Sequence, residues 1–112
     1  MVKVASDVQW QDLVNHIKAL EYSFLGNVMS NNDNLNNYDV PGIYVCDSAV
    51  KAATLSNTPI TTAGFKMYVE YTISTSRLRQ TIHVNNASSD TFIRSYTATG
   101  WSGWRKITTT AV

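Results

Sequence analysis

Nine residues in the middle of the chain decide its fold: Phe65-Lys66-Met67-Tyr68-Val69-Glu70-Tyr71-Thr72-Ile73. Large apolar side chains occupy every second position, which is the spacing of a strand with one dry face. After a short Ser/Thr turn, a second alternating stretch runs from Arg77 to Val84, and a third strand is predicted over residues 91–96. A closing strand is predicted over residues 104–107. Because the loops between these strands are short, the pattern predicts an antiparallel meander.

The dry face of this sheet is predicted from the same alternation. Its apolar members are Phe65, Met67, Val69, Leu78, Ile82 and Phe92. Residues 47–63, which precede the first alternating strand, have a less clear pattern. Residues 47–53 fit either a helical turn or a loop that leads to Leu55, because Ala and Ser suit both. Trp104 is predicted to be a core residue that anchors the closing strand, since it lies in that strand with Ile107.

An amphipathic helix is predicted over residues 6–25, with Ser6 as its N-cap and Asp7 in its first turn. Five large apolar residues follow a three-four spacing along it: Trp10, Leu13, Ile17, Leu20 and Phe24. This stripe spans only about two heptads, which is short for a coiled coil. The residues alone leave two interpretations open: a helix that self-associates through the stripe, or a helix that lies on the domain's own sheet.

An asparagine-rich stretch separates the helix from the strands. Five of the eight residues from 30 to 37 are asparagine, whose side chains compete with regular backbone pairing and favour turns. The predicted organisation is therefore a helix within residues 1–29, a linker over residues 30–37 and a β-rich domain over residues 38–112. The predicted fold class is mainly β with one N-terminal helix (α+β).

Composition excludes several classes of function. Charged residues make up 15% of the 112 residues and the formal net charge is +1, so no electrostatic argument favours nucleic acid or an anionic membrane as a partner. No apolar run has the length that a bilayer requires. Cys46 is the single cysteine and follows Ile43-Tyr44-Val45, where a small buried hydrophobe is a better interpretation than a nucleophile.

No catalytic or metal-binding arrangement is visible in the sequence. His16 and His83 have no Cys, Asp or Glu at metal-ligand spacing, and no nucleophile motif or phosphate loop occurs, so we expect no catalytic residue, no metal and no cofactor. Aromatic and arginine residues offer the one candidate ligand-binding set: Tyr68, Arg77, Arg79, Arg94, Tyr96 and Trp101. The alternative is that these aromatic residues only close the edge of the core.

The three arginines in that set have two possible roles, one in pairing between strands and one in ligand binding. Strand pairing is predicted to place Arg77, Arg79 and Arg94 on or near one outward face, opposite Lys66 and Glu70. Cross-strand pairing with Glu70 would contribute a few tenths of a kcal/mol. A polar groove that faces a ligand is the functional interpretation, and the sequence does not separate the two.

Three motifs together resemble a known family. They are Asn34-Leu35-Asn36 before Tyr38, then Pro41-Gly42-Ile43-Tyr44-Val45, and finally Gly100-Trp101-Ser102-Gly103-Trp104-Arg105-Lys106-Ile107. This layout, over residues 34–107, resembles the pyocin-knob domain of phage tail fibres and related contractile particles. The opening motif of that family is usually Asp-Leu-Asn, so Asn34 is a departure, although either residue can cap a turn.

The resemblance implies a function that the residues alone do not indicate. It implies a non-enzymatic structural and adhesive module of a phage tail or particle fibre: a stalk helix that forms a homotrimer, followed by a small antiparallel-sheet knob. Expected partners are other virion structural proteins and host surface polysaccharide, and the expected location is the virion after synthesis in the host cytoplasm. A capsid head fibre or decoration protein is the first alternative, and a small enzyme or inhibitor subunit is the weaker one.

Overall fold

A computed structural model describes residues 9–17, 26–108 and 110–112. Residues 9–17 form helix α1, inside the range predicted for the amphipathic helix. The predicted N-cap Ser6 and the stripe residues Leu20 and Phe24 lie outside the described residues. No helix among the described residues has both the length and the hydropathy of a membrane-spanning segment.

One seven-stranded sheet forms the body of the knob. Its strands are β1 (Asn27–Val28), β2 (Gly42–Cys46), β3 (Phe65–Tyr71), β4 (Leu78–Val84), β5 (Thr91–Thr97), β6 (Gly100–Trp101) and β7 (Arg105–Ile107). Neighbours from β2 to β6 are antiparallel and consecutive, so the predicted meander is confirmed. Strand β1 pairs with β2 in parallel, and β7 pairs with β5 beyond the end of β6. A mainly β fold with an N-terminal helix is thus the fold class that the sequence predicted.

The dry face of the sheet is the one that the alternation predicted. Met67 lies opposite both Tyr44 and Ile82 in the register, and Ile82 lies opposite Phe92. The five predicted dry-face residues of β3 and β4 are all buried, and Phe92 is partly buried against them. Because the side-chain period of a strand is two, one correct register assigns every residue of the face.

The alternation in β3 ends earlier than predicted. The strand stops at Tyr71, and Ile73 is 90% exposed at the tip of the following turn. The hydrogen bond from Thr72 N–H to the Arg77 carbonyl closes the hairpin there. Ile73 is therefore beyond the paired backbone, and its place in the apolar pattern does not bury it.

The predicted linker is wrong, because residues 30–37 belong to the packed domain. A 3₁₀-helix covers Leu35–Asn37, capped by the side chain of Asn34, and Leu35 is fully buried. Met29 is also buried, and strand β1 lies within the range predicted for the helical part. The packed domain therefore includes residues from Gly26 onward. We call residues 29–38 the lead-in segment.

The remaining core cover comes from the segment between β2 and β3. Helix α2 (Ala49–Ala52) begins at Ser48, whose side-chain oxygen accepts a hydrogen bond from Lys51 N–H, so the helical alternative is the right one there. Ala52 and Leu55 are buried against the sheet. Cys46 is buried as expected, and desolvation raises the pKa of its thiol.

Candidate functional site

Arginine 94 lies on the inner face of the sheet. In the register, Gln80 pairs with Arg94 and Ile82 pairs with Phe92, so Arg94 shares the face of Phe92. Its side chain is part of the buried set, with the residue only 5% exposed. The predicted outward position of Arg94 is wrong. Arg94 follows Phe92 by two positions, so the strand alternation places its side chain on the same inner face. The wrong prediction came from the general expectation that arginine is exposed.

The Arg94 guanidinium connects the sheet to the lead-in segment. Arg94 Nε donates to Gln80 Oε1 at 2.8 Å, and Nη1 donates to Asn36 Oδ1 at 2.8 Å. Gln80 Nε2 in turn donates to the Leu35 carbonyl at 2.8 Å and to the Tyr38 carbonyl at 3.0 Å. The two buried polar side chains thus donate hydrogen bonds to two backbone carbonyls and one amide side chain in and beside the 3₁₀-helix. These bonds hold the turn against the sheet.

Two tryptophan rings complete the surroundings of this cation. The guanidinium carbon lies 4.4 Å from the Trp101 ring centroid and 4.6 Å from that of Trp104, within cation–π range. No carboxylate among the described residues forms an ion pair with Arg94, and its Nη2 has no hydrogen-bond partner among them. Desolvation lowers the pKa of Arg94 to about 10, so the guanidinium stays protonated at neutral pH.

Both indole N–H groups are fixed by backbone carbonyls. Trp101 Nε1 donates to the Asn36 carbonyl at 3.1 Å, and Trp104 Nε1 donates to the Asn57 carbonyl at 2.8 Å. Trp104 packs against the core although the last strand begins one residue later, at Arg105. The predicted role of Trp104 in the core therefore agrees with its position.

A groove opens beside Trp101, on the same side of the sheet. Its volume is about 350 Å³, and its lining residues are Asn36, Asp39, Thr75, Ser76, Leu78, Tyr96 and Trp101. Tyr96 and Trp101 are register partners, with ring centroids 5.3 Å apart and ring planes at 69°. We call this cavity the Trp101 groove. It combines two aromatic rings with a carboxylate, an amide and two hydroxyl groups.

The structure divides the six predicted ligand residues between two faces. Tyr96 and Trp101 line the Trp101 groove, and Arg94 lies over the Trp101 ring. Arg77 is not a lining residue, but its Nη1 donates to the carbonyl of the lining residue Ser76 at 3.1 Å. Tyr68 and Arg79 lie on the opposite face of the sheet. The six residues therefore do not share one face of the sheet.

On the outward face of β3 and β4, the predicted candidate residues contact other side chains of the sheet. Arg79 Nη1 lies 3.4 Å from Glu70 Oε1, which is the cross-strand pair that the sequence suggested. Tyr68 packs edge-on against His83, with ring centroids 5.5 Å apart. Both contacts are between side chains of the sheet itself, so they account for these residues without a ligand.

Sequence reasoning missed the polar half of the groove. Asn36 was assigned to the predicted linker, and Thr75 and Ser76 to the turn after the first alternating strand, while Asp39 was not a candidate site residue. These residues come from two loops that are far apart in sequence and meet only in the fold, so no local pattern indicated the polar half of the groove. Among the described residues, no group of three or more His, Cys, Asp or Glu side chains is placed to bind a metal ion.

The fold of this chain is similar to that of pyocin tail-fibre domains, so the resemblance is confirmed at the level of the fold. C-terminal residues 323–701 of the P. aeruginosa R1 pyocin fibre match with a TM-score of 0.64 and 22% identity, covering 73% of this chain and 21% of that chain. An N-truncated R2-type pyocin tail fibre matches with a TM-score of 0.65 and 21% identity, covering 73% and 32% of the two chains.

A second R2 structure, of P. aeruginosa fibre residues 323–691, gives a TM-score of 0.65 and 21% identity, with 73% of this chain and 22% of that chain covered. The match therefore involves about a third or less of each fibre chain. At this identity the likeness is one of fold. No protein-family model matches the chain, and no curated protein matches it.

Proposed function

We propose that this chain is a non-enzymatic structural and adhesive module of a phage tail or particle fibre. The observation that carries the proposal is its fold, which it shares with domains of two types of pyocin tail fibre. In this proposal the sheet domain is a knob that projects from the fibre and contacts host surface polysaccharide. Its other partners are structural proteins of the virion, which acquires the chain after synthesis in the host cytoplasm.

The stalk part of the proposal is supported by the exposed face of α1. In the single chain, Trp10 is 61% exposed, Leu13 is 50% exposed and Ile17 is 48% exposed. A helix that lay with its stripe on the domain's own sheet would bury these side chains. Burial of each large apolar side chain contributes about 1.5 to 3 kcal/mol, so self-association through the exposed stripe would be stabilising. Because the resemblance to tail fibres implies three chains, we propose a homotrimer that associates through this stripe, of which Leu20 and Phe24 are predicted members.

Sedimentation equilibrium tests the trimer directly. The unmodified chain should have the mass of three chains at tens of micromolar, and the double substitution Leu13→Asp with Ile17→Asp should give monomers. The matched control is Val50→Asp, because Val50 is 80% exposed on α2 and outside the proposed seam. A monomeric unmodified chain at that concentration would refute the stalk.

The knob should remain folded when the trimer is lost. Its buried core is made of residues from 29 onward, so the double substitution leaves that core intact. Retained β-sheet circular dichroism in the monomeric variant is the expected result. Loss of the sheet signal together with the trimer would mean that the knob depends on the stalk for folding.

Immunogold labelling of intact particles tests the location. Label confined to tail fibres is the expected result, and label on the head would favour the capsid fibre or decoration protein instead. Absence of label from purified virions, with the chain found only in the host lysate, would contradict both locations.

A further inference from the structure

The Trp101 groove has the size of a small-ligand site. Its volume of about 350 Å³ lies near the lower end of the range for ligand pockets, about 300 to 1,000 Å³. A cavity of this size suits one small ring or a short unit of a longer chain. The groove is built by the lead-in segment, the β3–β4 turn and the β5–β6 edge, so it exists only in the folded knob.

The lining has the two kinds of surface that a sugar ring requires. Tyr96 is 39% exposed and Trp101 is partly exposed, so both present ring surface to the groove. The faces of aromatic rings carry negative partial charge, so they attract the positively polarised C–H groups of a sugar ring. Asp39, Thr75 and Ser76 supply oxygen atoms that can pair with hydroxyl groups around the ring.

The charges of the groove select against an acidic ligand. Among the described residues, Asp39 is the one charged residue in its lining. The Arg94 cation is buried and packs over the Trp101 ring, and Arg77 is not among the lining residues. A ligand carboxylate in the groove would face the Asp39 carboxylate without a lining cation to offset the repulsion.

Asn36 enters the groove with its amide orientation already determined. Its Oδ1 accepts from Arg94, its carbonyl accepts from Trp101, and its N–H donates to Asn34 Oδ1. Side-chain Nδ2 is thus the remaining polar atom of Asn36 for a ligand, and it is a donor. Arg94 acts through Asn36 as a positioning residue, since it determines which end of the amide is free.

From these observations we infer that the Trp101 groove binds one neutral sugar unit of a polysaccharide. The apolar face of the sugar stacks on Tyr96 and Trp101, while its hydroxyl groups donate to Asp39 and accept from Asn36 Nδ2. The inference deepens the proposed adhesive function and rests on it for the biological source of the sugar. The binding chemistry itself is independent of the fibre assignment.

Indole N–H signals of the full chain, labelled with ¹⁵N, test the inference. The chain has three tryptophans, and assignment through Trp10→Phe and Trp104→Phe leaves the Trp101 signal identified. The probes are the methyl glycosides of glucose, galactose and N-acetylglucosamine at millimolar concentration, with glucuronic acid as the acidic comparator. At least one neutral probe should shift the Trp101 signal in a saturating manner and leave the Trp10 signal unchanged.

Two tyrosines of equal exposure form a matched pair of variants. Tyr96 in the groove and Tyr68 on the opposite face are each 39% exposed. Tyr96→Ala should weaken binding of the neutral probe by about tenfold, whereas Tyr68→Ala should leave it unchanged. Asp39→Ala, at an exposed loop position, should also weaken binding and covers the case in which Tyr96→Ala destabilises the knob.

Several results would overturn the inference. They are no saturating Trp101 shift with any neutral probe, equal binding by Asp39→Ala and the unmodified chain, equal losses from Tyr96→Ala and Tyr68→Ala, or tighter binding of glucuronic acid than of the neutral probes. Trimer mass and particle labelling are measured separately. A trimeric, virion-bound chain that binds no sugar would refute the groove and leave the fibre proposal standing.

Discussion

Replacement of Arg94 by methionine separates the polar role of this residue from its packing role. Methionine keeps an unbranched apolar stem of similar length, so the space between the sheet and the tryptophan rings stays filled. The guanidinium, its two hydrogen bonds and its contacts with Trp101 and Trp104 are lost. The change therefore tests whether a buried cation without a carboxylate partner stabilises this fold.

The expected magnitude follows from the groups left behind. Gln80 Oε1 loses its donor in a fully buried position, and Asn36 Oδ1 loses its donor in a partly buried one. A buried acceptor without a partner costs about 1 to 3 kcal/mol, and each cation–π contact is worth about 0.5 to 2 kcal/mol. Relief of the desolvation of Arg94 offsets part of this loss. We expect Arg94→Met to lower the free energy of unfolding by about 2 to 4 kcal/mol.

Urea unfolding at one fixed protein concentration measures this effect, because association would otherwise shift the midpoint. Arg79→Met is the matched control: Arg79 is on the neighbouring strand, with an exposed ion pair to Glu70, and should cost less than about 1 kcal/mol. Arg94→Lys keeps the charge but cannot donate as a rigid fork, and should be destabilising as well. Equal losses for Arg94→Met and Arg79→Met would refute the reasoning.

Three further predictions concern the packing and the titration of the knob. Val69→Ala should cost about 1 to 3 kcal/mol, because Val69 is 4% exposed in the core; a urea midpoint within error of the unmodified chain would mean that the register is wrong. Gly64→Ala should be destabilising, because a Cβ there would lie 2.8 Å from a backbone oxygen at the end of β2. Gly103→Ala is the control and should be nearly neutral, because a Cβ there meets nothing within 4 Å. Equal melting temperatures of the two variants would contradict this prediction. Burial and then the hydrogen bond to Asp33 raise the pKa of Tyr38 above the ordinary 10.0, so the neutral phenol is favoured in the fold. The stability that the neutral Tyr38 phenol contributes is complete below about pH 10 and is lost as the pH rises through the raised pKa. Between about pH 8.5 and about pH 11, Tyr38→Phe should therefore lose less stability than the unmodified chain. Urea midpoints that fall in parallel for the two proteins would disprove this prediction.

The alternating strands were predictable from the sequence because their pattern is local. Each side chain of β3 and β4 is assigned to a face by its neighbours two positions away, and a period of two needs no knowledge of the partner strand. The same rule carried the information that Arg94 faces inward with Phe92. Arginine usually prefers solvent, which would place Arg94 outward. In this fold the strand register determines its position instead, and Arg94 is buried.

The Asn-rich stretch shows where a local pattern misleads. Its composition is that of a linker, and its local turn chemistry was predicted correctly, since Asn34 caps the 3₁₀-helix. The burial of Leu35 depends instead on partners distant in sequence. Gln80, which holds its carbonyl, is 45 residues away.

By itself, the sequence determined the meander, the dry face of β3 and β4, the burial of Cys46 and the resemblance to a fibre knob. The tertiary structure alone decided the Arg94 network and the Trp101 groove. Asn36 meets Arg94 across 58 residues and Trp101 across 65 residues. Such contacts follow from the order and register of the strands and from the return of the lead-in segment over the sheet, and these are properties of the closed fold rather than of any local stretch.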